Sequence, residues 1–206
     1  MKTDGELIWE SYKPNFSYYH SKEQFLKENP MRAGDFDSYD YEENNPSEIY
    51  NMVLHKNSNY ELIHQQKHNN GVTISFYQSE DSGEYDLKLI PSNLKEIVGH
   101  VTYEIKDGGV LIGSVYNQPI FKGLIFKVFF DYFLEKFDFI MSGTVHSNKG
   151  ERFWQRIVDN GLRLGYNVSV IDVVSKETVK INNTSELMDY YGDDLKFEKY
   201  RFKIEK

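Results

Sequence analysis

Between Asn117 and Phe137 the chain carries a segment that is apolar on nearly every side when drawn as a helix. Phe121, Leu124, Ile125, Val128 and Tyr132 repeat at helical spacing, and so do Phe126, Phe129, Phe130 and Phe133. A helix with apolar rows around most of its circumference must be buried, against a sheet on one side and further structure on the other. Lys122, Lys127, Asp131, Glu135 and Lys136 interrupt the run, which makes it a core helix and not a membrane span. Asn117, Gln118 and Pro119 read as its start, an Asn cap with Pro in the first turn.

Alternating segments supply the sheet. Val72, Ile74 and Phe76 alternate with polar residues, and Glu80-Asp81-Ser82-Gly83-Glu84 turns the chain into Tyr85–Ile90. Glu96–Lys106 and Val110–Tyr116 are joined by Asp107-Gly108-Gly109, a hairpin signal. After the helix, Phe137–Ser142 is a short apolar strand. A strand, a crossover helix and a strand predict a parallel or locally splayed pair. Ser147–Asn160 forms a second helix, with Phe153, Trp154, Ile157 and Val158 as its buried stripe. Strands follow at Tyr166–Val174 and Glu177–Ile181, then a turn or short helix at Leu187–Tyr191. Phe197–Ile204 alternates as a half-buried edge strand. Nearer the start, Ser47 caps a helix running to about Lys56, and shorter helices are predicted at Ser21–Glu28 and Tyr60–His68. The sum is an α+β domain over 47–206, a mixed, splayed central sheet flanked by helices, with an N-terminal arm over 1–46.

The charge excludes some partners. The net charge of -8 and the lack of a basic stripe argue against nucleic acid. The first 50 residues hold 5 basic and 11 acidic side chains, so the acidity is concentrated there. The absence of cysteine removes disulfides and a thiol nucleophile and fits a cytoplasmic setting. Met1–Glu10 is charged and lacks the apolar run of a signal peptide.

The join between Val110–Tyr116 and the buried helix holds Lys122-Gly123-Leu124-Ile125-Phe126-Lys127. Backbone N–H groups at such a join suit a phosphate. This segment resembles the acyl-CoA pyrophosphate loop of the GNAT superfamily of N-acetyltransferases, written R/Q-x-x-G-x-G/A. Lys122 and Gly123 stand for the opening pair, and Ile125 and Lys127 stand where glycines are usual. Ile97-Val98-Gly99-His100-Val101 is similar to the family's third strand. Ser147-x-x-Gly150-x-x-Phe153-Trp154, followed by Leu164-Gly165-Tyr166, is similar to its N-x-x-A-x-x-L-Y…L-G-F. The likeness spans roughly residues 70–174. Glu6–Glu10, and Tyr190-Tyr191-Gly192 before a last strand, look like segments of acetyltransferase-like proteins of tailed phages.

The resemblance implies transfer of an acetyl group from acetyl-CoA to an amine. Lys122, Gly123 and Leu124 would hold the pyrophosphate, a backbone N–H near Val115 and Asn117 the thioester oxygen, and Ser147 and Trp154 the remaining cofactor wall. His146 and Tyr116 are the candidate catalytic groups, with Glu104 on the neighbouring strand. Two positions depart from the family. Ile125 is β-branched where a glycine allows close approach. Trp154 replaces a tyrosine that protonates the departing thiolate, and an indole N–H cannot do so. These departures keep open a second reading, a GNAT-like scaffold without catalysis that binds a protein through the acidic segment 35–48. The same element order also suits an unrelated α+β domain. Glu61, His64 and His68, at i, i+3 and i+7, would share a helix face and could hold a metal. Neither a G-x-S-x-G elbow nor a G-x-x-x-x-G-K-[ST] loop is present.

Overall fold

A computed structural model describes residues 46–69, 71–143, 146, 148–190 and 199–206. The helix expected at Ser21–Glu28 and nearly all of the acidic segment from Asp35 lie outside the described residues. The elements are α1 (Pro46–Val53), β1 (Glu61–Lys67), β2 (Thr73–Asp81), β3 (Glu84–Pro91), β4 (Gly99–Lys106) and β5 (Gly109–Asn117). A helical rod follows, made of α2 (Leu124–Lys127), a π-helical stretch (Val128–Phe133) and α3 (Leu134–Lys136). Then come β6 (Phe139–Met141), α4 (Asn148–Arg163), β7 (Asn167–Asp172), β8 (Thr178–Lys180) and β9 (Tyr200–Glu205).

The architecture is mixed α+β, with one open nine-stranded sheet in the order β1-β2-β3-β4-β5-β6-β9-β7-β8. Its pairings are antiparallel except for β5 and β6, which run parallel. The β2–β3 and β4–β5 hairpin turns follow from residues that tolerate positive φ. Ser82 and Gly83 sit at 55° and 90°, and Asp107 and Gly108 at 53° and 82°. Two successive left-handed residues give a turn whose twist matches the strands.

One face of the sheet carries the main core. Ile74, Phe76, Leu87, Leu89, Val101 and Ile112 pack beneath Leu124, Val128, Phe129 and Phe133 of the rod. The wide π turn sends two successive rings toward the sheet. Tyr132 meets Phe76 at 5.2 Å between centroids, and Phe133 meets Tyr103 at 4.8 Å. The second long helix, α4, lies beside the rod, with Phe129 5.5 Å from Phe153 and 5.9 Å from Trp154. On the other face, Ile49 and Val53 of α1 cover Ile90 and Ile97.

Gly109, the first residue of β5, is fixed by its neighbour on β6. A Cβ there would stand 2.3 Å from Cε2 of Phe139. Gly109→Ala is therefore expected to cost about 1–3 kcal/mol, the range for overpacking. Chemical denaturation checks it, and a Gly109→Ala, Phe139→Ala double variant should lose less than the two single losses added together.

Three sequence expectations need correction. Residues 60–68 are not a helix, because Glu61–Lys67 pairs with β2 from Glu61↔Gln78 to Lys67↔Thr73. Tertiary pairing overrides the weak helical preference of its Gln, His and Lys residues. The buried helix does not start at Asn117. Pro119–Phe121 is a single 3-10 turn, Lys122 is extended, and Gly123 at φ 80° precedes the regular helix from Leu124. The last strand is not an edge, since β9 lies between β6 and β7. Alternation reports one covered face and is silent on how many neighbours a strand has.

Candidate functional site

The loop from Asn117 to Lys127 follows the stretch of β5 that has left β6. The parallel pair shares only Val110↔Ile140 and Leu111↔Met141. Beyond Leu111, β5 stays paired with β4 as far as Asn117↔Gly99. The far half of β5 thus leaves the side facing β6 open among the described residues. Unpaired backbone N–H and C=O groups on such an edge can receive a ligand.

The loop is tied at several points. Asn117 Nδ2 donates to the Phe121 carbonyl at 3.3 Å, a role other than the cap expected from sequence. The Gln118 backbone N–H donates to the Val98 carbonyl, and its side chain donates to the Ile97 carbonyl at 3.0 Å. Leu124 and Ile125 are buried in the core. Ile125 thus spends its branched side chain on packing. Gly123 is half-buried, and a Cβ on it would meet nothing within 4 Å. Lys122 is exposed.

Lys67, the last residue of β1, and His68 after it reach this loop, unseen from sequence. His68 is 8% exposed, and its Nε2 lies 3.2 Å from the Lys122 carbonyl. Its ring stands edge-on to Phe121 at 5.6 Å. Lys127 Nζ donates to the Lys67 carbonyl at 3.5 Å. The metal set expected of Glu61, His64 and His68 needs a helix, and the strand separates them. His64 packs between Phe76 and Tyr132, at 5.0 and 4.9 Å. Among the described residues no three His, Asp or Glu side chains form a metal-binding group.

Of the remaining candidates, Val115 and Tyr116 stand opposite Val101 and His100 across the β4–β5 ladder. Val115 packs against the main core, so Tyr116, next along the strand, belongs to the α1 face. Burial, and the charge of Glu96, push its phenol pKa up, against a bond with Gln118 that lowers it. His146 is 7% exposed, stacked on Trp154 at 5.9 Å and tilted against Phe202 at 5.8 Å. Trp154 is buried as well, on the rod side. The two candidate catalytic groups therefore belong to opposite faces of the sheet. Ser147 lies outside the described residues. Glu104 is exposed.

The α1 face also holds a polar cluster that the sequence did not announce. Asp86 accepts from Tyr60 Oη at 2.6 Å, and its carboxylate lies 3.1 Å from Lys88 Nζ and 2.8 Å from His100 Nε2. Lys88 and His100 are 6% and 5% exposed. They are also opposite each other in the β3–β4 ladder, so Lys88, His100 and Tyr116 form one row across three strands. Burial acts to raise the Asp86 pKa, but His100 and Lys88 outweigh it and hold the carboxyl at about 2. Burial and Asp86 together push the Tyr60 phenol up. Tyr60 is also one wall of a hollow of about 510 Å³ at the end of α1, lined by Asn51, His55 and Asn59.

The sequence matches no protein-family model and no curated protein. Among the described residues, no helix is long and apolar enough to cross a membrane.

Proposed function

We propose that this chain is a GNAT-like acyltransferase domain that binds acetyl-CoA at the opening between β5 and β6 and acetylates an amine. The observation that carries the reading is the parting of this one parallel pair after two rungs, with the Gly123 loop at the mouth of the gap. A second feature supports it. Ile125 is turned into the core, so it does not fill the space beside Gly123.

In this reading the pyrophosphate sits against the Gly123–Ile125 backbone, with Lys122 and Lys127 supplying positive charge. The amine attacks the thioester carbon, whose oxygen is held by a backbone N–H near Val115–Asn117. Trp154 offers no proton. Tyr116 is kept protonated at neutral pH by burial and by Glu96, so it is assigned as acid to the departing thiolate and not as base. The amine attacks as its free base, the proton it sheds on becoming an amide passes to water, and water returns a proton to Tyr116; His146 has no part in this scheme.

A second reading is a catalytically inactive scaffold acting through protein contact. The burial of Trp154 among Phe129, Phe153 and His146 favours it, because that ring is structural. Isothermal titration with acetyl-CoA and with free coenzyme A separates the two. The acyltransferase reading expects binding at micromolar ligand. Absence of binding at millimolar ligand rejects it and leaves the scaffold.

A further inference from the structure

We propose that Lys67-His68, the last residue of β1 and the one after it, is a clasp that positions the loop around Gly123. The inference rests on the acyl-CoA reading for its ligand but on geometry for the clasp itself. His68 and Lys122 are 54 residues apart in sequence, and Lys67 and Lys127 are 60 apart. Two neighbouring residues, the last of β1 and the one that follows it, thus hold the chain on both sides of Gly123. The first link is made through a side chain. The second is made through the Lys67 carbonyl, so it survives any substitution of the Lys67 side chain.

The chemistry of the first link is defined. A carbonyl oxygen only accepts, so His68 carries its proton on Nε2. Its Nδ1 is buried and has no partner among the described residues. The Lys122 carbonyl is thereby drawn toward β1. With that carbonyl fixed and Gly123 at φ 80°, the following N–H groups have one direction instead of several. A loop ordered before the ligand arrives binds more tightly than one ordered by it. His68 touches no ligand in this account and acts through the backbone of Lys122, which makes it a positioning residue.

The test uses the full chain and three variants. His68→Phe keeps a ring against Phe121 and removes the donor. His68→Gln keeps an N–H donor at about the Nε2 position. His68→Ala is the second donorless variant if the Phe ring does not fit. Hydrogen exchange at the Gly123–Ile125 amides is read alongside titration with coenzyme A and a denaturant midpoint. The clasp predicts exchange about tenfold faster in His68→Phe, a coenzyme A Kd raised about tenfold, and His68→Gln within about twofold of the parent on both. Unchanged exchange in the donorless variants overturns the clasp, whatever coenzyme A does. Faster exchange with unchanged coenzyme A affinity overturns the positioning role. A parent chain that does not bind coenzyme A removes that role together with the acyl-CoA reading, and exchange alone then decides whether the clasp exists.

Discussion

Asp86→Ala is expected to destabilise the fold by about 3 kcal/mol, the low end of what breaking a buried ion pair costs. The loss follows from what remains. Lys88 and His100 are nearly inaccessible to water, and both rely on the Asp86 carboxylate. Without it two buried donors that face each other across the β3–β4 ladder lose the carboxylate that they share. The Tyr60 hydroxyl loses its acceptor as well. The same carboxylate makes the fold acid-sensitive. Its folded pKa of about 2 lies below the ordinary 3.8, so the unfolded chain takes up a proton first. The stabilisation is complete above about pH 4, falls as pH drops from there to 2, and is worth about 2 kcal/mol. Asp172, held at about 2 by its bond to Lys199, loses its share in the same window. Denaturant unfolding of the parent and of Asp86→Asn from pH 6 to 2.5 measures this. The parent should weaken more steeply than the variant. Parallel profiles would mean that Asp86 is not held by its neighbours.

The second large effect is on ligand affinity. Gly123→Val should weaken coenzyme A binding by about a hundredfold or more, roughly 2.7 kcal/mol, while the thermal midpoint moves by only a few degrees. The φ of 80° is where a β-branched residue is a true outlier, so the loop must leave its present path. The space beside the missing Cβ is open, so nothing in the core is displaced. That same space is where a pyrophosphate would stand, and valine methyls would enter it. Gly123→Ala should fall between parent and valine, because it is strained but smaller. Titration calorimetry beside a thermal melt separates the two consequences. Undiminished binding in a folded Gly123→Val protein would remove the pyrophosphate from this loop.

What the sequence disclosed, and what it withheld, follows from range. The two hairpins were legible because Ser82-Gly83 and Asp107-Gly108 encode their turns locally. The buried rod was legible because its apolar rows are dense. Its true start was not, since the left-handed break at Gly123 lay inside an unbroken apolar pattern. β1 was misread because a polar edge strand carries few branched or aromatic residues, and only its pairing with β2 makes it a strand. In the candidate site, Lys122-Gly123 was visible as a break beside a helix. The approach of His68 was not, because nothing in a short polar segment states which loop it will meet. The Asp86 cluster had a faint signal. Asp86 and Lys88 alternate with Leu87 and Leu89, which places them together on the face away from the main core. That His100 and Tyr60 converge on them required the order of the strands.

That order has a consequence for how the chain comes together. β9 is a six-residue strand, and the sheet contacts that join β7 and β8 to the rest pass through it among the described residues. Both of its neighbours precede it, and Ser142 meets Phe202 across 60 positions. Hairpins such as β2–β3 and β4–β5 can close at once, since their ends are already adjacent. β9 must cross a long loop to find a slot between two strands already made, and the entropy of that closure is spent before any contact repays it. Refolding should therefore be slow for a chain of this length and should finish here, with the wedge driven in last.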